Sequence, residues 1–325
     1  MERMDDPRAA TSHSTELGGS DDAGQGMLAR ALELARRSLL DSRSGDEGGT
    51  RDDASDALQE CLDELAESAD PYEAGSWQEA VRLCGAGGDD AARRLVGAGL
   101  LGRLAALEQD AGEEEDGEGD ESRAAKDERE GLAPPTAPGE LWNLLADNAP
   151  EVVAAALLAL GEFDVDDDLS RLAPFAKDQR AAIRRALAKA LAGSEDDLGI
   201  DLLIGLSEDT DAEVRDWATF GLGSLCERDD AALRAALRAR LDDAEPSVRG
   251  EALLGLARRG DDVSEALELE LRGDEVGALA VEAAEVLADP GLLPALRELE
   301  EWWDPADEVL ARAIASCRAA ARRGR

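Results

Sequence analysis

The sequence predicts an all-α fold, an α-solenoid built from stacked helical hairpins. The main observation is an internal repeat, because an aspartate precedes an aliphatic residue by five positions six times in the second half of the chain. The pairs are Asp147/Val152, Asp178/Ile183, Asp209/Val214, Asp243/Val248, Asp274/Leu279 and Asp304/Val309. Steps of 30 to 34 residues separate successive pairs, and a period in this range is typical of a solenoid.

Composition also favours helices packed on helices. The 325 residues include five Trp, three Phe and one Tyr, whereas a β-sheet prefers aromatic and β-branched side chains. Ala and Leu dominate the periodic segments instead. The composition therefore argues against a sheet.

Each repeat is predicted to be a hairpin of two antiparallel helices. In the best-preserved copy, four apolar residues at helical spacing are expected to share one buried face: Val214, Ala218, Leu222 and Leu225. Other apolar helical segments precede such helices, at 198–206 and 233–241. The aspartate falls at the turn between them, where its carboxylate can cap exposed backbone N–H groups. One hairpin cannot bury its own apolar face, so stacking provides the core.

This unit resembles a HEAT repeat, in which an aspartate at the turn and a Val-Arg pair open the second, inner helix. Three copies match the arginine of that pair, at Arg184, Arg215 and Arg249. The resemblance implies that these arginines bond turn aspartates in a ladder running through the stack. The remaining copies carry other residues there, namely Val153, Ala280 and Leu310. The ladder is therefore expected only in the central repeats.

The repeats are shorter than the roughly 40–47 residues of most HEAT and armadillo arrays. They look more like the short HEAT-like repeats of phycobilin lyases and of many bacterial proteins, and this resemblance covers about 139–320. It implies a solenoid whose inner helices line a concave face.

The organisation along the chain follows from composition and periodicity. We predict five segments: a disordered tail at 1–26, a helical segment at 27–109, an acidic flexible insertion at 110–136, six repeats at 137–321 and a basic tail at 322–325. The helical segment includes a degenerate repeat at about 76–107, which lacks the aspartate signature. The segment 110–136 is interpreted as an insertion within the array. The alternative is a boundary between two domains.

The net charge of −40 is divided equally between the two halves of the chain, 1–138 and 139–325. Such a field repels nucleic-acid phosphates, which bind to basic surfaces, so no direct nucleic-acid binding is expected. One interpretation of the charge is solubility, or adaptation to a salty cytosol. The other is an acidic surface that meets a basic protein partner.

Few residues suggest catalysis. The only histidine is His13, in the predicted tail, which removes His-based nucleophile pairs and metal sites. The cysteines at 61, 84, 226 and 317 show no ligand spacing, and we expect reduced thiols in a cytoplasm, with Cys226 and Cys317 buried. No metal or cofactor is predicted. No apolar stretch reaches the length of a membrane span, and the N-terminus lacks the features of a signal peptide.

A candidate binding surface follows from helical geometry. On each inner helix, the third and sixth residues after the aliphatic position fall beside the buried stripe, toward the open face. The central copy places Trp217 and Phe220 there, and acids and a leucine surround them: Asp216, Glu251, Leu254, Glu282 and Glu285. This set would suit a basic or aromatic peptide. The alternative is that Trp217 packs as core, and Trp302 with Trp303 is expected to pack at a turn.

Three functions remain open from the sequence. The preferred hypothesis is a non-enzymatic scaffold that binds a protein partner on the concave face of an acidic solenoid. The resemblance to phycobilin lyases suggests a bilin-lyase-like enzyme as an alternative, although a fold alone does not carry an activity. The acidic surface suggests a nucleic-acid mimic that inhibits a basic protein.

Overall fold

The computed structural model describes residues 20–44, 50–68, 74–114, 137–163, 166–273, 275–304, 306 and 308–323. Within these ranges the chain forms helices joined by turns and contains no strand, which confirms the predicted all-α class. The α-helices are α1 (Ser20–Ser44), α2 (Thr50–Ser68), α3 (Ala74–Cys84), α4 (Ala91–Glu114), α5 (Ala137–Leu144), α6 (Pro150–Leu160), α7 (Ala181–Leu191), α8 (Asp197–Leu206), α9 (Ala212–Phe220), α10 (Ala231–Arg240), α11 (Pro246–Arg258), α12 (Ser264–Leu271), α13 (Ala278–Leu287), α14 (Leu293–Leu299) and α15 (Val309–Arg323).

The helices form two layers of a solenoid. The inner layer consists of α4, α6, α7, α9, α11, α13 and α15, each packed against the next. Outer helices pair with them as hairpins, for example α8 with α9 and α10 with α11. Helices α1 and α2 pack on each other and on α4. The hairpin α3–α4, which contains the degenerate repeat, therefore continues into the stack through the contact of α4 with α6.

Small residues let neighbouring inner helices approach until their backbones nearly touch. A Cβ atom added to Gly161 would lie 2.7 Å from the Cα of Ala190, and one added to Gly255 would lie 2.6 Å from the Cα of Gly223. Atoms other than hydrogen do not pack that closely, so neither position admits a larger residue without a shift of the backbone. Close approach along the whole inner layer buries the apolar stripe that one hairpin leaves open.

The predicted buried face of the central inner helix is correct for three of its four residues. Val214, Ala218 and Leu222 are all fully buried, but Leu225 is 45% exposed. The helix ends in a π-helical turn, Gly221–Leu225. A π-turn contains more residues than an α-turn, so residues beyond it rotate off the stripe that the 3.6-residue period predicts. Leu225 consequently faces the surface.

The turn aspartates cap the chain ahead of each inner helix. Each accepts a hydrogen bond from the backbone N–H two residues later, at 2.8 to 3.1 Å: Asp147, Asp178, Asp209, Asp243 and Asp304. The bond forms a local turn that sets the chain for the helix start. Asp274 lies outside the described residues.

Arginines on the inner helices join consecutive repeats. Arg184 binds both carboxylate oxygens of Asp209 in the following turn, at 2.6 and 2.7 Å, and donates to the carbonyl of Asp178 in its own turn. Arg215 makes the same contacts with Asp243, both at 2.8 Å, and with the carbonyl of Asp209. The guanidinium of Arg215 holds the pKa of Asp243 below its ordinary value. Each arginine therefore ties two turns together with bidentate, charge-assisted bonds.

This ladder is not confined to the central repeats. Arg94 in the degenerate repeat binds Asp147, with the shortest contact at 2.5 Å, and donates to the carbonyl of Gly88. Gly88 precedes Arg94 by six positions, as Asp209 precedes Arg215, so the arginine keeps its geometry although the aspartate is absent. The expectation that the ladder occurs only in the central repeats is wrong, because it was based only on repeats that carry both the aspartate and the arginine.

The ladder also changes at two positions. Asp178 receives no arginine from the preceding repeat, where Val153 occupies the matching position, and it pairs with Arg180 of its own turn at 2.7 Å. That bond lowers the pKa of Asp178 to about 2. At the other end, Arg249 binds Glu270 at the end of α12, at 2.8 and 2.9 Å.

Several element boundaries differ from the prediction. Helix α1 begins at Ser20, inside the predicted tail 1–26. Helix α4 continues to Glu114, inside the predicted insertion. Helix α15 extends to Arg323. The remainder of the tail at 1–19, the insertion at 115–136 and the last two residues lie outside the described residues.

The outer element of the second repeat is not an α-helix. It consists of two 3₁₀-helices, Asp166–Arg171 and Ala173–Lys177. Pro174 lacks a backbone N–H and cannot continue a regular helix across this segment.

Replacing Arg215 with alanine is expected to destabilise the stack by about 2–4 kcal/mol, because the largely buried Asp243 loses its bidentate partner and keeps only Arg240 at 3.7 Å. Arg180→Ala is the matched control, since Arg180 is half exposed and its bond stays within one turn. Its expected cost is below about 1 kcal/mol. Urea unfolding followed by circular dichroism measures both, and equal losses would contradict the role given to the ladder.

Candidate interaction surface

The central inner helix α9 carries an aromatic pair. The rings of Trp217 and Phe220 meet edge to face, with centroids 5.7 Å apart and an interplanar angle of 89°. Both side chains are half-buried, and Trp217 also packs against the apolar core. The indole is therefore shared between core and surface, so the two interpretations made from the sequence each describe part of it.

Groups of both signs lie beside this pair. The ammonium of Lys189 on α7 sits 4.2 Å from the centroid of the Trp217 ring, a cation–π contact. Burial and the nearby Arg185 lower the pKa of Lys189. Asp216 precedes the indole and is half-buried, and it makes no ion pair with any residue that the structure describes. One cation is thus engaged with the ring, while one carboxylate is available.

The acids expected around the pair do not form an open acidic rim. Glu282 binds Arg258 at 3.0 Å, and Glu285 binds Arg312 at 3.1 Å. Both carboxylates are therefore neutralised by arginines from neighbouring helices. The sequence pattern could not show these partners, which come from other repeats.

Two predicted surface residues are buried. Leu254 is 1% exposed and Glu251 is 7% exposed, so Leu254 belongs to the core and not to the binding surface. Helix α11 is packed between α9 and α13, and the close contact of Gly223 with Gly255 draws its middle into the stack. The same position of the repeat can therefore be partly exposed on one inner helix and buried on the next.

Glu251 is a buried carboxyl group in contact with the end of α9. The Ser224 hydroxyl donates a hydrogen bond of 2.6 Å to its Oε2 atom. Burial raises the pKa of Glu251 above its ordinary value, the Ser224 bond opposes that rise, and nearby Asp216 adds to it. The charged form is therefore disfavoured in the folded state.

Arg259 holds the C-terminal end of α9, the helix that carries Trp217 and Phe220. Its guanidinium donates to five backbone carbonyls at 2.6 to 3.3 Å: those of Leu222, Gly223, Cys226, Arg228 and Gly255. The first three belong to the π-turn and the residue after it, where helix carbonyls lack intrahelical partners. The sequence did not predict this role, because an Arg-Arg pair at a helix end gives no sign that one arginine binds backbone carbonyls of another repeat.

The second aromatic pair lies at the turn before α15. The rings of Trp302 and Trp303 are 5.8 Å apart. Trp303 packs against the core, in line with the expected turn packing, but Trp302 is 57% exposed. Trp302 is thus a surface tryptophan away from the inner layer.

The described residues offer little chemistry beyond binding. All four cysteines are free and buried, and burial was expected for Cys226 and Cys317. Burial raises the pKa of Cys84 to about 12 and that of Cys317 to about 11. No cluster of three or more metal-ligating side chains occurs in the part of the chain that the structure describes. In the same part, no helix has both the length and the apolarity that crossing a bilayer requires.

Comparison with known proteins agrees with the architecture. A family model described as HEAT repeats matches residues 137–223 and 200–287. Protein YibA of Escherichia coli strain K12 is 35% identical over 138 residues, which is 42% of this chain and 49% of YibA. YibA of Escherichia coli O157:H7 gives the same values. The matched segment thus spans about half the length of these curated relatives.

A crystal structure of Escherichia coli YibA extends the comparison to the whole fold. It matches with a TM-score of 0.53 over 94% of this chain and 99% of that chain, at 23% identity. At this identity the likeness concerns the fold alone.

Glu251→Gln is expected to stabilise the protein near neutral pH. Glutamine keeps an acceptor for Ser224 and removes the cost of a buried charge. The pKa of Glu251 in the folded protein lies above its ordinary value of 4.5. The charged carboxylate therefore destabilises the fold at pH values above the folded pKa, and this destabilisation is absent below pH 4.5, where the group is protonated in both states. The advantage over wild type should therefore shrink as the pH falls through the folded pKa. Thermal melts across pH measure it.

Glu282→Gln is the control for this comparison, because Glu282 is partly exposed and paired with Arg258. It should not gain stability at any pH. A Glu251→Gln variant less stable than wild type at pH 7 would contradict the assignment of a desolvated carboxylate.

Proposed function

This chain is a HEAT-repeat protein of bacterial type, and we propose that it is a non-enzymatic scaffold that binds a protein partner on the surface of its inner helices. The observation that carries the proposal is the half-buried aromatic pair Trp217–Phe220 at the centre of the inner layer. Solenoids bind along the extended surface that their stacked repeats create. The binding role is also supported by the scarcity of catalytic residue types described above.

The aromatic pair has the properties of a binding anchor. Energetic hot spots in interfaces are enriched in Trp and cluster in well-packed central sites. Trp217 is held on one side by the core and by Lys189, so little side-chain freedom is lost when a partner covers its open edge. Arg259 and the π-turn keep the end of the same helix in place. The anchor is thus organised before binding.

The surroundings of the pair indicate the chemistry of the partner. Asp216 offers a carboxylate without an ion pair among the described residues, whereas Glu282 and Glu285 are already paired. We therefore propose a partner segment with an apolar or aromatic side chain for the rings and one basic side chain for Asp216. The net charge of −40 would accelerate the approach of a basic partner without supplying most of the affinity.

The test compares partner capture by wild type and by the Trp217→Ala/Phe220→Ala variant. Proteins retained from a native lysate are identified by mass spectrometry, and their affinity is measured with purified components. Loss of the two rings is expected to weaken binding at least about tenfold. Trp302→Ala is the matched control, because it removes an exposed tryptophan outside the inner layer and should leave binding unchanged.

Two further measurements keep the outcome interpretable. Circular dichroism melts establish that the double variant is folded, since Trp217 also contacts the core. Asp216→Asn leaves the rings in place. It should weaken the binding of a basic partner and affect folding less than the double variant does. Equal capture by wild type and all three variants would show that the partner binds elsewhere and would overturn the proposal.

A further inference from the structure

The arginines without partners are concentrated at the C-terminal end of the stack. From Arg82 to Arg272, every arginine whose surroundings the structure describes has an ion pair, a ring contact or, for Arg259, backbone carbonyls. The described exceptions lie on α14 and α15: Arg297, Arg318, Arg322 and Arg323. All four are exposed. Helix α15 contains four arginines and no acid, and folding does not explain the three that have no partner among the described residues.

Helix α15 displays these charges on a regular face. Ala311, Ala315, Arg318 and Arg322 are all exposed and stand at positions i, i+4, i+7 and i+11, so they form one stripe. The opposite face is buried by Val309, Leu310, Ala313, Ile314 and Cys317. Within the described chain, α15 is the last inner helix, and it packs against the inner helix α13 and against α14 with the 3₁₀-turn that precedes it. Its stripe combines small residues, which permit close approach, with two unpaired arginines.

Helix α2 at the other end of the stack displays the opposite charge at the same spacing. Asp56, Glu60, Asp63 and Glu67 are exposed at positions i, i+4, i+7 and i+11. They lie opposite the buried Leu58, Leu62 and Leu65. Asp63 pairs with Arg103, while the other three have no ion pair among the described residues. Within the described chain, a stripe with two arginines on α15 and a stripe with four acids on α2, one of them paired, thus lie at opposite ends of the stack.

We propose that the cationic stripe of α15 (Ala311, Ala315, Arg318 and Arg322) binds the acidic stripe of α2 in a second copy of this chain. The contact joins different surfaces of identical chains, so it is heterologous and produces open head-to-tail assemblies. It uses helices at the two ends of the described stack and leaves the surface around Trp217 free. It therefore does not depend on the proposed scaffold function.

The charge of the whole chain favours this occupant over a nucleic acid. A net charge of −40 repels a long polyanion well before it reaches the short stripe on α15. A second copy of the chain is repelled as well, but only one of its helices has to come close to α15, and the rest of its charge stays at a distance. At physiological salt the Debye length is about 8 Å, so the distant charges are screened while the touching stripes still attract. Association should consequently be weak at very low salt, strongest at intermediate salt and weak again at high salt.

The experiment measures self-association by sedimentation velocity over a series of protein and salt concentrations. Wild type is compared with Arg318→Glu/Arg322→Glu and with Glu60→Arg/Glu67→Arg. Each double variant places like charges across the contact and should weaken association at least about tenfold. Lys177→Glu/Arg180→Glu is the control for Arg318→Glu/Arg322→Glu, because it makes the same change in net charge at exposed residues away from both ends. It should associate like wild type.

Charge exchange identifies the partner surface. A mixture of the two double variants, or one chain that carries all four substitutions, restores opposite charges across the contact and should recover association. Circular dichroism verifies folding, and the recovery is itself evidence that the variants are folded. The proposal is wrong if wild type stays monomeric throughout, or if the exchanged pair does not recover. Binding of duplex DNA by wild type, lost in Arg318→Glu/Arg322→Glu without any self-association, would also overturn it.

Discussion

The structure depends on the close approach of consecutive inner helices. Each hairpin presents an apolar stripe that only the next hairpin can cover, and small residues such as Gly161, Ala190, Gly223 and Gly255 allow the backbones to meet. Apolar burial then accumulates along the stack and not within any single unit. The same closeness determines which positions remain on the surface, because a helix drawn deeply into the stack, as α11 is, loses its open face.

Ion pairs between consecutive repeats add to the apolar contact between inner helices. Arg94, Arg184 and Arg215 each hold an aspartate of the following turn and a carbonyl of their own, so the turns are tied in series along the inner layer. Where an arginine is missing, Asp178 finds a local partner instead. Among the described residues most arginines have an internal partner, whereas those of α14 and α15 other than Arg312 have none.

The candidate binding surface arises from one irregular position in a regular array. The π-turn after α9 rotates Leu225 outward, and Arg259 satisfies the carbonyls that the turn releases. Beside it, the rings of Trp217 and Phe220 are held edge to face. The surface combines aromatic rings, a cation and a free carboxylate, and it is less acidic than the overall charge suggests. A repeat protein can in this way present a distinct site without leaving its repeat geometry.

The sequence by itself determined the repeats, the hairpins, the turn aspartates and the position of Trp217 and Phe220 on an inner helix, because helical period and turn chemistry are local properties. Only the tertiary structure decided the burial of Leu254 and Glu251, the pairing of Glu282 with Arg258, the exposure of Leu225 and the roles of Arg94 and Arg259. Each of these depends on atoms about 20 to 55 residues away or on a change in helix period. A pattern within one repeat carries no information about how closely its neighbours approach.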